Sequence, residues 1–121
     1  MIDYKLGEVE SKFADLIWEN EPINSGELVK LAADCLVWKK STTYTVLRKL
    51  CDKGFFKNEN SLVTSLISKD EYRAMQSERF VEETFSGSLP KFLAAFSKRK
   101  ELSEAEVRQI QGLIDKYKEG K

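Results

Sequence analysis

The first half of the chain contains three segments whose apolar residues recur at the spacing of one helix face. These segments predict helices over residues 6–20, 24–35 and 41–53. Asn24 or Ser25 is a suitable N-cap for the second helix, because a short polar side chain can accept from the free N–H groups of the first turn. The positions predicted to face a core are Val9, Phe13, Leu16, Ile17, Leu28, Leu31, Ala32, Cys35, Val46, Leu47 and Leu50.

After Gly54 the pattern changes from helical to extended. Residues 55–57 and 62–67 predict two strands, and residues 58–61 predict the tight turn between them, since Asn tolerates the left-handed conformation. Three helices followed by a hairpin form a winged helix-turn-helix. We therefore predict a mainly α fold with a small β-hairpin wing, and a winged-helix domain over residues 1–68.

The rest of the chain, residues 69–121, predicts three more amphipathic helices joined by short turns. Ser68, Ser88 and Ser103 are their predicted N-caps. Their apolar stripes are too wide to stay solvated, so we predict that residues 69–121 form a helical domain for homodimerisation. The alternative is that these helices fold back onto their own winged helix in a monomer. The predicted dimer interface consists of Phe80, Phe85, Leu89, Phe92, Leu93, Phe96, Val107, Ile110 and Ile114.

The formal net charge of zero conceals an uneven distribution. Residues 1–38 hold three basic and eight acidic residues, whereas residues 39–57 hold six basic residues and one acidic residue. A positive patch on a neutral protein is typical of a surface that contacts a polyanion. The alternative is chance clustering on a solvated helix face.

The positive charge coincides with the third helix, residues 41–53, for which Ser41 is the predicted N-cap. Its polar face carries Thr, Tyr, Arg and Lys, which can hydrogen-bond to base edges and phosphates. We predict that this helix enters the major groove of double-stranded DNA. The predicted DNA-binding residues are Lys39, Lys40, Ser41, Thr42, Thr43, Tyr44, Thr45, Arg48, Lys49, Lys53 and Lys57.

The composition argues against an enzyme. The chain has no histidine, so the most common general base and metal ligand is missing. No catalytic residue, metal site or cofactor is predicted, and the carboxylates fall mostly on the solvent faces of helices. Cys35 and Cys51 are predicted to be buried small hydrophobic residues and not a disulfide pair. No apolar run approaches the ~20 residues of a membrane helix, and residues 1–5 do not resemble a signal peptide, so we expect a cytoplasmic protein.

Several short motifs, taken in order, resemble one known family. They are Leu16-Ile17-Trp18, residues 41–47 (Ser-Thr-Thr-Tyr-Thr-Val-Leu), Arg48-Lys49-Leu50, Lys53-Gly54-Phe55, Phe85-Ser86-Gly87-Ser88-Leu89 and Leu102-Ser103-Glu104-Ala105-Glu106. Over residues 6 to about 118 the chain resembles the penicillinase repressor family, the winged-helix regulators of the BlaI, MecI and CopY type in bacteria.

The resemblance implies a homodimeric transcriptional repressor that binds a pseudo-palindromic operator, with intertwined C-terminal helices as the dimer interface. It also implies that Thr42 and Thr45 approach DNA and that Lys49 is the family's basic residue near the end of the recognition helix. An alternative function is a winged helix that contacts another protein and has no sequence-specific role on DNA.

The chain departs from the family pattern at four places. The tryptophan that often follows the acidic pair in the first helix is Ser11 here, which affects packing more than binding. The wing is poor in Lys and Arg, with Lys57 beside it and Glu59 near its tip. Copper-responsive members carry a C-terminal cysteine cluster, and residues 100–121 contain no cysteine. Antibiotic-responsive members are inactivated by a sensor-linked protease at an Asn-Phe pair, where this chain has Ala95-Phe96.

Overall fold

The computed structural model describes residues 5–120. Residues 1–4, on which most of the signal-peptide expectation rests, lie outside the described residues. The helices and strands confirm a mainly α fold with a small antiparallel wing. In chain order they are α1 (Glu8–Asn20), β1 (Ile23–Asn24), α2 (Ser25–Leu36), α3 (Lys40–Asp52), β2 (Phe56–Glu59), β3 (Leu62–Ser65), α4 (Lys69–Phe85), α5 (Leu89–Arg99) and α6 (Glu104–Glu119).

The strands form one antiparallel sheet with the order β1-β3-β2. The predicted hairpin is confirmed as β2 and β3, and its turn residues Asn60 and Ser61 have φ values of 52° and 65°. The sequence did not predict β1, because its two residues are too few to show an alternating pattern. Ile23 of β1 pairs with Val63, and this joins the chain before α2 to the wing.

The first compact unit extends to Glu78, and the second begins at Arg79. This division falls ten residues after the predicted boundary at 68 and 69. Tyr72 of α4 is buried and Met75 packs against the same core, so the first turns of α4 belong with the winged helix. The largest fully buried side chains of this core are Phe13, Ile17, Leu28, Leu50, Phe55, Phe56 and Val63.

Trp18 is partly buried and packs against the core of the winged helix. Its indole Nε1–H donates to the carbonyl of Ile67 at 2.9 Å. Its ring lies against Phe56 at a centroid distance of 5.4 Å and against Tyr72 at 5.7 Å. Trp18 therefore connects α1 to the wing and to the start of α4, which fixes the wing relative to the helices.

The second unit contains α5, α6 and the end of α4. Ser88 and Ser103 are confirmed as N-caps, since their hydroxyls accept from the backbone N–H groups of Lys91 and Glu106. Four phenylalanine rings lie in contact where α4 meets α5. Within the described residues, α5 and α6 contain no buried side chain. The contacting rings are Phe80, Phe85, Phe92 and Phe96.

Two predicted core positions are wrong. Val9 is 58% exposed, because it lies in the first turn of α1, and the first residue of this helix that is buried in the core is Phe13, one turn later. Cys35 is also exposed, because α2 directs Leu28 and Ala32 into the core and ends one residue after Cys35. Cys51 is half-buried, and both thiols are free.

Among residues 5–120, no helix combines the length and the apolar composition of a membrane span. No group of three or more His, Cys, Asp or Glu side chains is arranged there to hold a metal ion.

Candidate nucleic-acid interface

Helix α3 begins one residue earlier than the sequence predicts. Its N-cap is Lys39, which has an extended backbone and makes no capping hydrogen bond through its side chain. The prediction of Ser41 as the N-cap is therefore wrong. Ser41 lies within the first turn, and its carbonyl accepts from the hydroxyl of Thr45 at 2.9 Å.

Thr43 does not lie on the exposed face of α3, contrary to the prediction that it binds DNA. Its side chain is 0% exposed, and its hydroxyl donates to the carbonyl of Lys39 at 3.0 Å. Thr43, Leu47 and Leu50 share the buried face of the helix. Because its hydroxyl is already bonded to the backbone of its own helix, Thr43 can be buried among apolar side chains at low cost.

The other predicted DNA-binding residues of α3 lie together on one exposed surface of the helix. Tyr44, 36% exposed, also contacts α2, because its hydroxyl lies 3.3 Å from the hydroxyl of the buried Ser25. This contact joins α3 to the preceding helix of the helix-turn-helix. We call this surface the outer face of α3; its exposed residues are Lys40, Ser41, Thr42, Tyr44, Thr45, Arg48 and Lys49, and Lys39 is exposed just before it.

The basic residues of this region differ in their partners. Within residues 5–120, no ion pair involves Lys39, Lys40, Arg48 or Lys49, so their charges are available to an external anion. Lys57 lies 3.8 Å from Glu59 in the wing, in an exposed pair. The positive charge of the wing is therefore partly neutralised.

Lys53 makes closer contacts than any of these lysines. Its ammonium nitrogen lies 3.1 Å from both carboxylate oxygens of Glu10 and 3.1 Å from the carbonyl of Lys5. Burial raises the pKa of Glu10, but the hydrogen bond from the N–H of Gly7 and the Lys53 ammonium lower it by more, so this pKa lies below its ordinary value of 4.5. The sequence did not indicate that Glu10 contacts a predicted DNA-binding residue, because 43 residues separate it from Lys53 and no local pattern connects the two.

A groove of about 300 Å³ runs between α3 and β2. Asn58 of β2, which was not among the predicted site residues, lines it together with Tyr44, Leu47, Arg48 and Cys51. Burial and the neighbouring Asp52 raise the pKa of the Cys51 thiol, so it stays protonated at neutral pH. The groove thus combines a guanidinium, a phenol and an amide, groups that can hydrogen-bond to phosphates and base edges.

Comparison with known proteins agrees with this geometry. The model of the penicillinase repressor family matches residues 6–116. The chain belongs to the penicillinase repressor family. Its members are repressors and this is not a family of enzymes, and the resemblance given by the sequence motifs is confirmed.

One sequence relative and one solved structure show how far the similarity extends. The chain is 22% identical over 121 residues to the penicillinase repressor of Bacillus licheniformis, covering 97% of this chain and 94% of that protein. The solution structure of monomeric BlaI from Bacillus licheniformis, in complex with the blaP half-operator, matches with a TM-score of 0.50 and 25% identity. That match covers 60% of this chain and 92% of the BlaI chain.

Proposed function

We propose that this member of the penicillinase repressor family is a DNA-binding transcriptional repressor, and that it acts in the cytoplasm as a homodimer on a pseudo-palindromic operator. Each protomer would place α3 in a major groove. The observation that carries the proposal is the outer face of α3, where hydroxyl-bearing side chains lie beside cations that form no ion pair with any of residues 5–120. The relative solved with a half-operator supports DNA as the ligand.

The residues of this face divide into two roles. Lys39, Lys40 and Lys49 would neutralise phosphates, which position the protein without reading sequence. Thr42, Thr45 and Arg48 would contact base edges, where threonine methyls can pack against thymine and the guanidinium can hydrogen-bond to guanine. Thr43 is left out of the proposal, because its side chain is buried.

The homodimer part of the proposal is supported by the apolar residues of the second unit. Phe80, Leu89, Phe96, Val107 and Ile114 are between 41% and 63% exposed. Exposed aromatic and aliphatic side chains of this size favour association, at roughly 25 cal/mol per Å² of apolar surface covered. The other predicted interface residues, which are half-buried, are Phe85, Phe92, Leu93 and Ile110.

A two-fold dimer would place two α3 helices about one turn of DNA apart, roughly 34–36 Å. Bound there, the protein would exclude polymerase from a promoter. An inactivating protease or a sensor is a further proposed partner. Its cleavage at Ala95-Phe96 would require local unwinding of α5, because the pair lies inside that helix.

The test is a selection of bound duplexes from a pool of genomic fragments, followed by gel shifts at low and moderate salt. The expected result is a small set of related, pseudo-palindromic sequences that stay bound at moderate salt. Shifts that all disappear together as salt rises, with no shared sequence, would contradict the proposal. That result would favour a winged helix that contacts another protein.

A further inference from the structure

The ammonium group of Lys53 has no donor left for DNA. A lysine ammonium has three N–H donors, and the three acceptors around Lys53 Nζ are two Glu10 oxygens and the Lys5 carbonyl, each at 3.1 Å. Lys53 is the C-cap of α3, one turn after Lys49. A cation at the end of the recognition helix is thus held by a carboxylate of α1.

The carboxylate also acts on the neighbouring cation of α3. Glu10 has an attractive Coulomb interaction with Lys49 in addition to its contact with Lys53. Lys49 has no ion pair within residues 5–120 and lies on the outer face of α3. Glu10 therefore lowers the positive potential over the C-terminal half of this helix, where it faces outward.

We propose that Glu10 competes with DNA phosphate for Lys53 and thereby limits the sequence-independent affinity of the outer face of α3. The inference rests on the proposed function and names a residue that regulates it from outside the DNA surface. A phosphate oxygen and a carboxylate oxygen are equivalent acceptors for an ammonium group. The side chains of Lys53 and Glu10 are 30% and 22% exposed, so solvent and phosphate can reach the pair.

The consequence is a repressor that binds random DNA less tightly than its count of lysines predicts. Phosphate contacts add to specific and non-specific binding alike. One paired lysine therefore lowers retention on the large excess of non-operator DNA. The base-reading residues of α3 are unaffected, because Glu10 contacts none of them.

The test uses full-length protein and a short duplex of scrambled sequence, with affinity measured between ~50 and ~200 mM salt. The variants are Glu10→Gln, Lys53→Gln and the double substitution. Glutamine keeps an acceptor for the N–H of Gly7, so the cap of α1 is retained. Glu8→Gln is the matched control, because Glu8 also lies in the first turn of α1 but pairs with Lys12. Thermal unfolding of each variant verifies folding.

Glu10→Gln is expected to tighten binding roughly fivefold and to steepen the slope of log affinity against log salt by about 0.9, the value for one added phosphate contact. Glu8→Gln and Lys53→Gln should each change affinity less than about twofold. Lys53→Gln should remove most of the gain when combined with Glu10→Gln. Lys53→Gln alone tests, with Glu10 unchanged, whether Lys53 contributes to DNA binding in the wild type.

Three results would overturn the inference. Glu10→Gln could leave the affinity unchanged or weaken it, which would mean that Glu10 positions Lys53 for DNA. Lys53→Gln alone could weaken binding and flatten the slope, or the gain could persist in full without Lys53. By contrast, failure of the wild type and all variants to bind any duplex would overturn the proposed function, and the inference with it.

Discussion

Glu10, which lies in the first turn of α1, makes two kinds of contact. Its carboxylate accepts from the N–H of Gly7 at 3.1 Å, which satisfies a backbone donor at the helix start. Both of its oxygens also accept from Lys53. These contacts favour the ionised carboxylate more than burial disfavours it, so the pKa of Glu10 is lowered.

The lowered pKa gives stability a defined pH dependence. A carboxyl whose pKa is lower in the folded than in the unfolded protein stabilises the fold above its unfolded pKa, and this stabilisation is lost as the pH falls through the folded pKa. Glu10→Gln should therefore lower the free energy of unfolding by about 1 kcal/mol at neutral pH. The difference should shrink as the pH falls below the ordinary value of 4.5.

Urea denaturation at pH 7 and at lower pH values measures this difference. Glu8→Gln is again the control, because Glu8 and Lys12 form an exposed pair at 3.8 Å. A deficit for Glu10→Gln that is the same at every pH would show that the contacts of Glu10 do not depend on its charge.

At the scale of elements, the N-cap residues and the spacing of apolar residues along the chain predicted most of the helices and strands. Ser68, Ser88 and Ser103 fixed the starts of α4, α5 and α6, since N-capping depends on residues three positions apart. The turn at Asn60 and Ser61 was predicted for a similarly local reason. These capping and turn residues keep their local hydrogen bonds and backbone conformations in the folded structure, because no tertiary contact competes for them.

The features that could not be predicted depend on distant contacts. Strand β1 forms because Ile23 and Asn24 pair with Val63 and Leu62 of β3. The contact between Lys53 and Glu10 joins residues that are 43 positions apart. Thr43 is a different case. Its spacing from Leu47 and Leu50 places it on the buried face, but its hydroxyl gave it the character of a surface residue. In the structure this hydroxyl donates to the carbonyl of Lys39, four residues earlier, so Thr43 can be buried without an unsatisfied polar group. The sequence alone does not reveal this hydrogen bond.

Gly54 and Gly112 should respond oppositely to substitution by alanine. Gly54 follows α3 with φ at 88°, a conformation that costs other residues about 1 kcal/mol. Gly112 lies inside α6 with no atom within 4 Å of an added Cβ. Gly54→Ala should lower the free energy of unfolding by about 1 kcal/mol, whereas Gly112→Ala should raise it by nearly as much.

Urea denaturation of both variants checks this prediction. Because Gly54 also sets the direction of the chain from α3 into β2, Gly54→Ala should weaken DNA binding as well. Gly112→Ala, which lies away from the apolar stripe of Val107, Ile110 and Ile114, should leave DNA binding unchanged. Equal stability changes for the two variants would contradict the assigned conformations.

At the scale of the whole molecule, the proposal requires a second copy to cover the apolar residues of the second unit. Phe96 is 41% exposed, and its ring contacts Phe92 at a centroid distance of 6.0 Å. Phe96→Asp should yield monomers in sedimentation velocity, because a carboxylate in an apolar interface loses hydration without gaining a partner. Ser97→Asp, which places the same charge at the next, exposed residue of α5, should leave the dimer intact.

A dimer that persists in Phe96→Asp would show that the assigned interface is wrong. If the substitution does produce monomers, binding to a full operator should weaken far more than binding to a single half-site. Two linked recognition helices raise affinity because the second contact is intramolecular once the first is made. Equal loss on both DNAs would indicate damage to the winged helix itself.

The most direct test of the account compares the selected operator with a scrambled duplex for a Thr42→Ala, Thr45→Ala double variant. Each side chain that reads a base contributes about 1–3 kcal/mol of discrimination. We therefore predict at least about a tenfold loss on the operator and little change on the scrambled duplex. Lys39→Ala, which should remove only a phosphate contact, is expected to weaken both equally. Equal losses for the threonine variant on the two duplexes would contradict the claim that α3 reads the operator sequence.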